Sequence, residues 1–155
     1  MTVGENTVSG PVASRITELR TLLDQGAREG LGVGASLGIT VEALEKGRAV
    51  YVLDPNPATI NAMFTVHGGV LATLMDTAMG SAVFTELGDG VAYTTLELKV
   101  NFIRSVGMDH SRLTCRANTV HVGRRTATAE ARITDAAGKL IAHGSCTCMV
   151  FQPEA

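Results

Sequence analysis

Hydrophobic residues near the start of the chain recur at the spacing of an α-helix. They are Ile16, Leu19, Leu22 and Leu23, and charged residues lie between them. This spacing predicts a helix from Pro11 to about Gly26, with Ser9 as its cap and Pro11 in its first turn. Residues 1–10 are expected to form a flexible tail, and residues 11–155 a single domain.

Two strands are predicted in the stretch Ser36–Asp54. The runs SLGITVEAL and RAVYVLD alternate imperfectly between apolar and polar residues, and Gly47 supplies a turn between them. Pro55 and Pro57 end the second strand and open a loop that reaches about Val66.

A long apolar helix is predicted from His67 to about Thr85. The glycines of Gly88-Asp89-Gly90 favour a helix end there. In Gly68–Thr85 the only charged residue is Asp76, and no cationic residue lies within one helical turn of it. A carboxylate in such a helix is costly unless a partner or water reaches it. The residues alone leave two interpretations open: a functional carboxylate, or one that is solvated or caps a neighbouring backbone group.

Beyond this helix the spacing of hydrophobic residues changes to two. In VAYTTLELKVNF one face is expected to hold Leu96, Leu98, Val100 and Phe102, and the other Thr95, Glu97, Lys99 and Asn101. Three more strands are predicted from SRLTCRANTVHV, RRTATAEARI and KLIAHGSCTCMVF. Since these four strands are close in sequence, we expect an antiparallel meander. The predicted class is α+β, a curved antiparallel sheet wrapped around the long helix, with an extra N-terminal helix.

Composition narrows the classes of function. The 155 residues fit one domain, and a net charge of −2 gives no overall basic field for nucleic acid. The three cysteines lack CxxC spacing, which predicts reduced, buried thiols in a cytoplasmic protein rather than disulfides or a metal site. The sequence MTVGENTVSG does not resemble a secretory signal, and Gly68–Phe84 is too polar for a membrane span. No nucleic acid, membrane or metal partner is expected.

The first residues of the long helix form a candidate oxyanion site. The tripeptide His67-Gly68-Gly69 exposes backbone N–H groups at the positive end of a helix, and glycine lets a ligand approach closely. Such donors could polarise a carbonyl group. Taken alone, the tripeptide also fits an ordinary turn, and His67 also fits a structural histidine.

Together these residues resemble the hotdog thioesterases, in the branch around the phenylacetate-pathway and 4-hydroxybenzoyl-CoA thioesterases. That family shows an amide residue, then HGG six residues later, then a carboxylate nine residues beyond the histidine. Asn61, His67 and Asp76 keep both spacings. The resemblance covers about residues 35–151, and its combined spacing is specific to the fold and to thioesterase-like members rather than to one substrate.

The resemblance implies hydrolysis of an acyl-CoA thioester with an aromatic or medium-chain acyl group. It implies no cofactor, because coenzyme A is part of the substrate. Asp76 would be the nucleophile or general base, and the Gly68 N–H would bind the thioester oxygen. Asn61 would orient water or the substrate carbonyl, and His67 would contact the thioester or the pantetheine arm.

Two further groups of residues are implied by the same resemblance. Thr95 is the expected assisting hydroxyl, with Thr94 as the neighbour that a one-residue misalignment would select. Gly80 stands where one branch has a hydroxyl residue, which favours the phenylacetate-type arrangement. The nucleotide of coenzyme A would contact Arg104, Gly123, Arg124 and Arg125, although these arginines also fit a simpler role of solvating strand ends.

Two other functions stay open at this point. One is a hotdog hydratase or dehydratase acting on an acyl thioester, and the other is a regulatory domain that binds acyl-CoA without hydrolysing it. The HGG-x6-D spacing favours the thioesterase over the hydratase. Retention of both Asn61 and Asp76 argues against the regulatory domain.

Self-association follows from helix geometry. Gly68 and Asp76 are eight residues apart on one helix, which separates them by about 12 Å. An oxyanion donor and a catalytic carboxylate must both reach one thioester group, and an aspartate side chain is too short to close that gap. Two antiparallel helices related by a two-fold axis would place Gly68 of one chain opposite Asp76 of the other. We therefore expect a homodimer or a dimer of dimers.

Overall fold

The structure is a computed structural model that describes residues 11–153. The predicted tail 1–10 and the proposed cap Ser9 lie outside the described residues. Two helices come first, α1 (Pro11–Glu29) and α2 (Gly32–Leu37). The remaining elements are β1 (Ile39–Glu45), β2 (Arg48–Leu53), α3 (Gly68–Phe84), β3 (Ala92–Phe102), β4 (Leu113–Val122), β5 (Thr126–Thr134) and β6 (Leu140–Phe151).

The N-terminal helix packs against the core through one stripe, as its spacing predicts. The side chains in contact with the core are Ile16, Leu19 and Leu23, whereas Leu22 is 55% exposed. The predicted start of the first strand at Ser36 is wrong, because Ser36 belongs to α2. Gly38 ends that helix in the left-handed conformation, with φ 77°, so extended backbone begins only at Ile39.

Six antiparallel strands form one sheet in the order β1-β2-β4-β5-β6-β3. The meander predicted for the last four strands is correct for β4, β5 and β6 and wrong for β3. Both edges of β4 are occupied, one by β2 and the other by β5, so β3 instead pairs with β6 at the edge of the sheet. The predicted α+β architecture, a curved sheet around the long helix, is confirmed.

The long helix α3 packs on the inner face of the sheet. Leu74, Met75 and Ala78 are fully buried there, and each large apolar side chain contributes about 1.5–3 kcal/mol by leaving water. The strand that passes beneath the helix presents small side chains, Ala127, Ala129 and Ala131. These alanines let the helix approach the sheet closely.

A bulge in β3 changes which residues face the helix. The register between β3 and β6 shifts between Thr95 and Glu97, so two residues of one strand oppose one of the other. Thr95 consequently faces α3 together with Leu98 and Val100. The expected faces are therefore wrong at two positions. Leu96 does not share a face with Leu98 and Val100, because the bulge turns it outward and leaves it 55% exposed. Thr95 does not share a face with the exposed Glu97.

Candidate active site

A carboxylate and a hydroxyl meet between α3 and β3. Asp76 lies midway along the helix and is partly buried, and its Oδ1 accepts a hydrogen bond from Thr95 Oγ1 at 2.9 Å. Thr94, the alternative hydroxyl, is exposed and makes no side-chain hydrogen bond within the described range. The bulge decides between the two threonines, because it keeps Thr95 on the helix side.

Two cysteines line β6 behind this pair. Cys148 lies directly opposite Thr95 in the sheet register, and its sulfur is 3.8 Å from that of Cys146. Both thiols are buried. The pKa of Cys146 is raised above its ordinary value, mainly by the hydrogen bond to Cys148 and to a smaller extent by burial. The neighbourhood of Asp76 is therefore closed on its sheet side.

The N-terminus of α3 keeps one free backbone donor. His67 is the N-cap, and its Nδ1 accepts the Gly69 N–H at 2.8 Å, which places the ring proton on Nε2 when the imidazole is neutral. The Gly68 N–H has no hydrogen-bond partner within residues 11–153. A Cβ at position 68 would lie 3.1–3.5 Å from ring atoms of Phe102, so a larger residue would require this exposed ring to shift.

The loop before the helix brings Asn61 to the same end of α3. Its ends pair through a bridge between Ile60 and Val66. Asn61 Oδ1 accepts the N–H of Met63 at 2.9 Å and that of Thr65 at 3.2 Å. The side-chain oxygen of Asn61 is thus already engaged in hydrogen bonds with backbone N–H groups of its own loop. Its NH₂ group makes no hydrogen bond within the described part of the chain, and remains available as a donor.

Within one chain these groups form two separate half-sites. Asn61, His67 and Gly68 lie at the N-terminal end of α3, and Asp76 with Thr95 lies at its middle. The helix is continuous over Gly68–Phe84, so the separation of about 12 Å between Gly68 and Asp76 holds.

The candidate nucleotide residues are also divided between two places. The Arg104 N–H donates to Ile141 O at 3.2 Å, and Arg125 O accepts the Val150 N–H at 2.9 Å. The two β6 residues are nine positions apart, which corresponds to about 30 Å along a strand. Arg104 and the 123–125 turn therefore lie at opposite ends of β6 in one chain.

The turn at residues 123–125 borders a depression of about 420 Å³. Its walls are Arg124, Arg125, Val150 and Gln152. The Gly123 N–H donates to Thr126 O at 2.8 Å, so it is not free to bind a phosphate. The cationic side chains are thus the available groups of this turn.

Sequence reasoning missed two residues, Tyr93 beside the Asp76–Thr95 pair and Arg15 near the start of β3. Tyr93 lies two positions before Thr95 on the helix side of β3, and Arg15 reaches from α1 to donate to Val91 O at 2.7 Å. The indication available in the sequence is Gly80, a glycine in the middle of a long helix, which marks a place where another group approaches the backbone.

Residues 11–153 contain no group of three or more His, Cys, Asp or Glu side chains arranged to hold a metal ion. Over that same range, no helix has both the length and the apolar character that a bilayer span requires.

Comparison with known proteins identifies relatives of this chain. The family model for the thioesterase superfamily matches residues 63–142, just over half of the chain. A 1,4-dihydroxy-2-naphthoyl-CoA hydrolase from Listeria monocytogenes is 28% identical over 120 residues, which span 77% of this chain and 96% of that protein.

Solved structures agree in fold. A thioesterase family protein from Silicibacter pomeroyi is 28% identical, covers 92% of this chain and 99% of its own, and superposes with a TM-score of 0.76. A mutant of the phenylacetic acid degradation protein PaaI from Thermus thermophilus is 30% identical, with coverages of 75% and 96% and a TM-score of 0.68. The chain therefore belongs to the thioesterase superfamily and is a thioester hydrolase of the hotdog fold.

Proposed function

We propose that this chain hydrolyses an acyl-CoA thioester to a free acid and coenzyme A, in the cytoplasm and without a cofactor. The proposed acyl group is aromatic or of medium chain length. The observation that carries the proposal is the Asp76 carboxylate, fixed by Thr95 at 2.9 Å on a helix that begins with a free N–H. The Listeria relative, named for hydrolysis of an aromatic acyl-CoA, supports the same substrate class.

Asp76 is the proposed nucleophile or general base. The hydrogen bond from Thr95 occupies Oδ1 and leaves Oδ2 to attack the thioester carbon or to take a proton from water. The bond that breaks joins the acyl carbon to sulfur. Water supplies the hydroxyl of the acid and the proton that the departing thiolate takes up.

The proposed oxyanion site uses the donors at the start of α3. The Gly68 N–H carries the positive end of the helix dipole and is free to bind the thioester oxygen as negative charge develops on it. The Asn61 NH₂ group is placed to orient a carbonyl oxygen or a water molecule. The His67 Nε2 is proposed to contact the thioester or the pantetheine arm.

Each complete site is proposed to need two chains. The outer edge of β3 has no partner strand among the described residues, and an open strand edge is a ready surface for pairing. Large exposed apolar side chains accompany it in the sequence segments 63–64 and 96–108, namely Met63, Phe64, Leu96, Phe102, Ile103 and Met108. A second copy across a two-fold axis would bring its Gly68 to this chain's Asp76.

Antiparallel pairing of two chains would also bring the proposed nucleotide contacts together. In one chain Arg104 lies at the Gly68 end of the fold and the Arg124–Arg125 turn lies at the opposite end. Antiparallel pairing would place Arg104 of one chain toward the Arg124–Arg125 turn of the other. We propose that the phosphates of coenzyme A contact these arginines, with Gly123 shaping the turn.

The test is a panel of acyl-CoAs with aromatic and medium-chain aliphatic acyl groups. Release of free thiol is the expected result, and it separates the esterase from both rivals. A hydratase would instead add water across a double bond in an enoyl-CoA while the thioester stays intact. A regulatory domain would bind acyl-CoA with no turnover. Either of those outcomes across the whole panel would overturn the proposal.

A further inference from the structure

The two tyrosines of the chain differ in how their hydroxyls are satisfied. Tyr51 is 1% exposed, and its Oη shares a hydrogen bond with Ser81 Oγ at 2.8 Å. Tyr93 is partly buried, and its Oη has no hydrogen-bond partner within residues 11–153. A phenol packed against a core normally finds a hydrogen-bond partner, so the unpaired hydroxyl of Tyr93 is a candidate donor to a ligand.

Helix α3 makes room for this hydroxyl at Gly80. A Cβ at position 80 would lie 3.1 Å from both Cε2 and Cζ of Tyr93 and would clash with Oη. Gly80 is buried in the interior of the helix, where glycine costs about 1 kcal/mol relative to alanine. The space it leaves is therefore the reason that the phenol can lie against the helix backbone.

The hydroxyl lies on the same side as the catalytic pair. Asp76 and Gly80 are four residues apart and share one face of α3. Tyr93 and Thr95 share the helix side of β3. The Tyr93 hydroxyl is thus displaced along the helix from the Asp76–Thr95 pair by about one turn, ~5.4 Å.

The Tyr93 hydroxyl stays protonated and is not completely buried. Burial raises the pKa of Tyr93 well above its ordinary value, and the nearby Cys148 thiol and Asp76 carboxylate raise it further. Arg15 Nε is the only fully buried side-chain nitrogen or oxygen without a partner in the described range, so Tyr93 Oη is not sealed off. It is a neutral donor that has no partner among the described residues.

The ring of Tyr93 is held in place from α1 and the end of α3. Phe84 contacts it edge to face, with ring centroids 6.4 Å apart. The Arg15 guanidinium lies 3.8 Å from the Phe84 ring centroid and also donates to Val91 O at the start of β3. A fixed ring with a free hydroxyl is suited to select a ligand, because little side-chain entropy is lost on binding.

We propose that Tyr93 is a specificity-determining residue, whose O–H donates to an oxygen on the acyl group about one helical turn, ~5 Å, from the thioester carbon. This rests on the proposed acyl-CoA hydrolysis. An acyl group without an acceptor there would cover the phenol and leave it unpaired, which disfavours that substrate. An oxygen across an aromatic ring from the thioester has the required reach, and one on the adjacent ring carbon does not.

The test compares three substrates in the wild type and in Tyr93→Phe. They are 4-hydroxybenzoyl-CoA, 4-methylbenzoyl-CoA, which has the same shape without the acceptor, and 2-hydroxybenzoyl-CoA. The variant is expected to lose about 10-fold in kcat/KM for the first substrate and to change less than about twofold for the other two. Gly80→Ala should reduce the same preference, because its methyl group displaces the hydroxyl.

Tyr51→Phe is the matched control, since it removes the same atom from the other tyrosine. It breaks the hydrogen bond to Ser81, so it should lower the melting temperature while leaving the ratio of kcat/KM values between substrates unchanged. Tyr93→Phe removes no internal hydrogen bond and should change the ratio with little change in melting temperature. An unchanged ratio in Tyr93→Phe, or an equal loss on all three substrates, would overturn the proposal.

Binding measurements separate this inference from the proposed reaction. If neither the three substrates nor any acyl-CoA of a wider panel released thiol, that result would count against hydrolysis. Even then, calorimetry would give the Kd values of 4-hydroxybenzoyl-CoA and 4-methylbenzoyl-CoA for the wild type and for Tyr93→Phe, and these values could be compared. Preference for the hydroxylated compound in the wild type and its loss in Tyr93→Phe support the role of Tyr93. Equal preference in both proteins contradicts it.

Discussion

The polar groups at the two ends of α3 differ in whether they have hydrogen-bond partners. At the C-terminal end Thr85 is fully buried, accepts the Gly47 N–H at 2.8 Å and donates to Ala82 O at 2.7 Å. At the N-terminal end, the Gly68 N–H and the Asn61 NH₂ group have no partner within the described residues. One end is closed by hydrogen bonds, and the other presents free donors.

We propose that this difference separates groups that hold the fold from groups that bind a ligand. A donor that is buried without a partner costs about 1–3 kcal/mol, so the closed end stabilises the chain. Free donors beside the exposed side chains of Met63, Phe64 and Phe102 are tolerated because water can reach them. In the proposed function, a substrate and a second chain would cover that end and give the same donors partners.

The largest expected effect is on the half-site at the middle of the helix. Asp76→Asn should lower kcat by on the order of 100-fold or more, because an amide can serve neither as nucleophile nor as base. The fold should be retained, since Thr95 can donate to the amide oxygen instead. Steady-state thiol release and melting temperature are the measurements. Asp89→Asn, at an exposed carboxylate, is the control, and turnover of Asp76→Asn within a few-fold of the wild type would remove Asp76 from the mechanism.

Much of the fold could be predicted because helices and strands depend on neighbouring residues. The spacing of apolar side chains gave α1, α3 and the strands β2 to β6 nearly to their ends. It did not give α2, whose sequence GVGASL is rich in glycine. It also could not give the partner of β3. That partner depends on the pairing of the other strands, because β2 and β5 occupy both edges of β4.

The candidate site could be proposed from the sequence where a motif carried it and not where packing did. Asn61, Gly68 and Asp76 were proposed from their spacing. The contact of Thr95 with Asp76 depends on a bulge that alternation alone does not show. Tyr93 was missed, because an aromatic residue on an apolar strand is usually part of the core. Its approach to Gly80 joins two elements that only the folded chain brings together.

A smaller effect is expected from the arginine turn at the far end of the sheet. Arg124→Ala with Arg125→Ala should raise KM for acyl-CoA by about 10-fold with little change in kcat, because phosphate contacts lie far from the thioester. The increase should shrink with an acyl-pantetheine substrate, which lacks the nucleotide. Arg116→Ala with Arg132→Ala removes the same charge from exposed strand positions and should leave KM nearly unchanged. Equal losses with both substrates would show that the turn serves structure.

Mixing two inactive variants tests whether the free donors of one chain serve the carboxylate of another. Asp76→Ala and Asn61→Ala each damage one half-site. A mixed dimer would hold one intact site and one doubly damaged site. After random exchange about half of the dimers are mixed, so activity should recover to about a quarter of the wild type. Subunit exchange is confirmed independently with differently tagged chains, and no recovery despite exchange would place the whole site within one chain.

The smallest effect on catalysis is expected at the closed end of α3, where hydrogen bonds should matter only for stability. Thr85→Val keeps the shape of the side chain but leaves the Gly47 N–H unpaired in a buried position, so the free energy of unfolding should fall by about 1–3 kcal/mol. Thr94→Val makes the same change at an exposed residue and should shift stability by less than about 0.5 kcal/mol. Urea denaturation gives both values. Below the melting temperature kcat should stay near the wild type for Thr85→Val, because Thr85 lies nine residues from Asp76, about 13 Å along the helix. A large loss of kcat in a folded Thr85→Val protein would mean that the two ends of α3 are coupled and that the division between a structural end and a ligand-binding end is wrong.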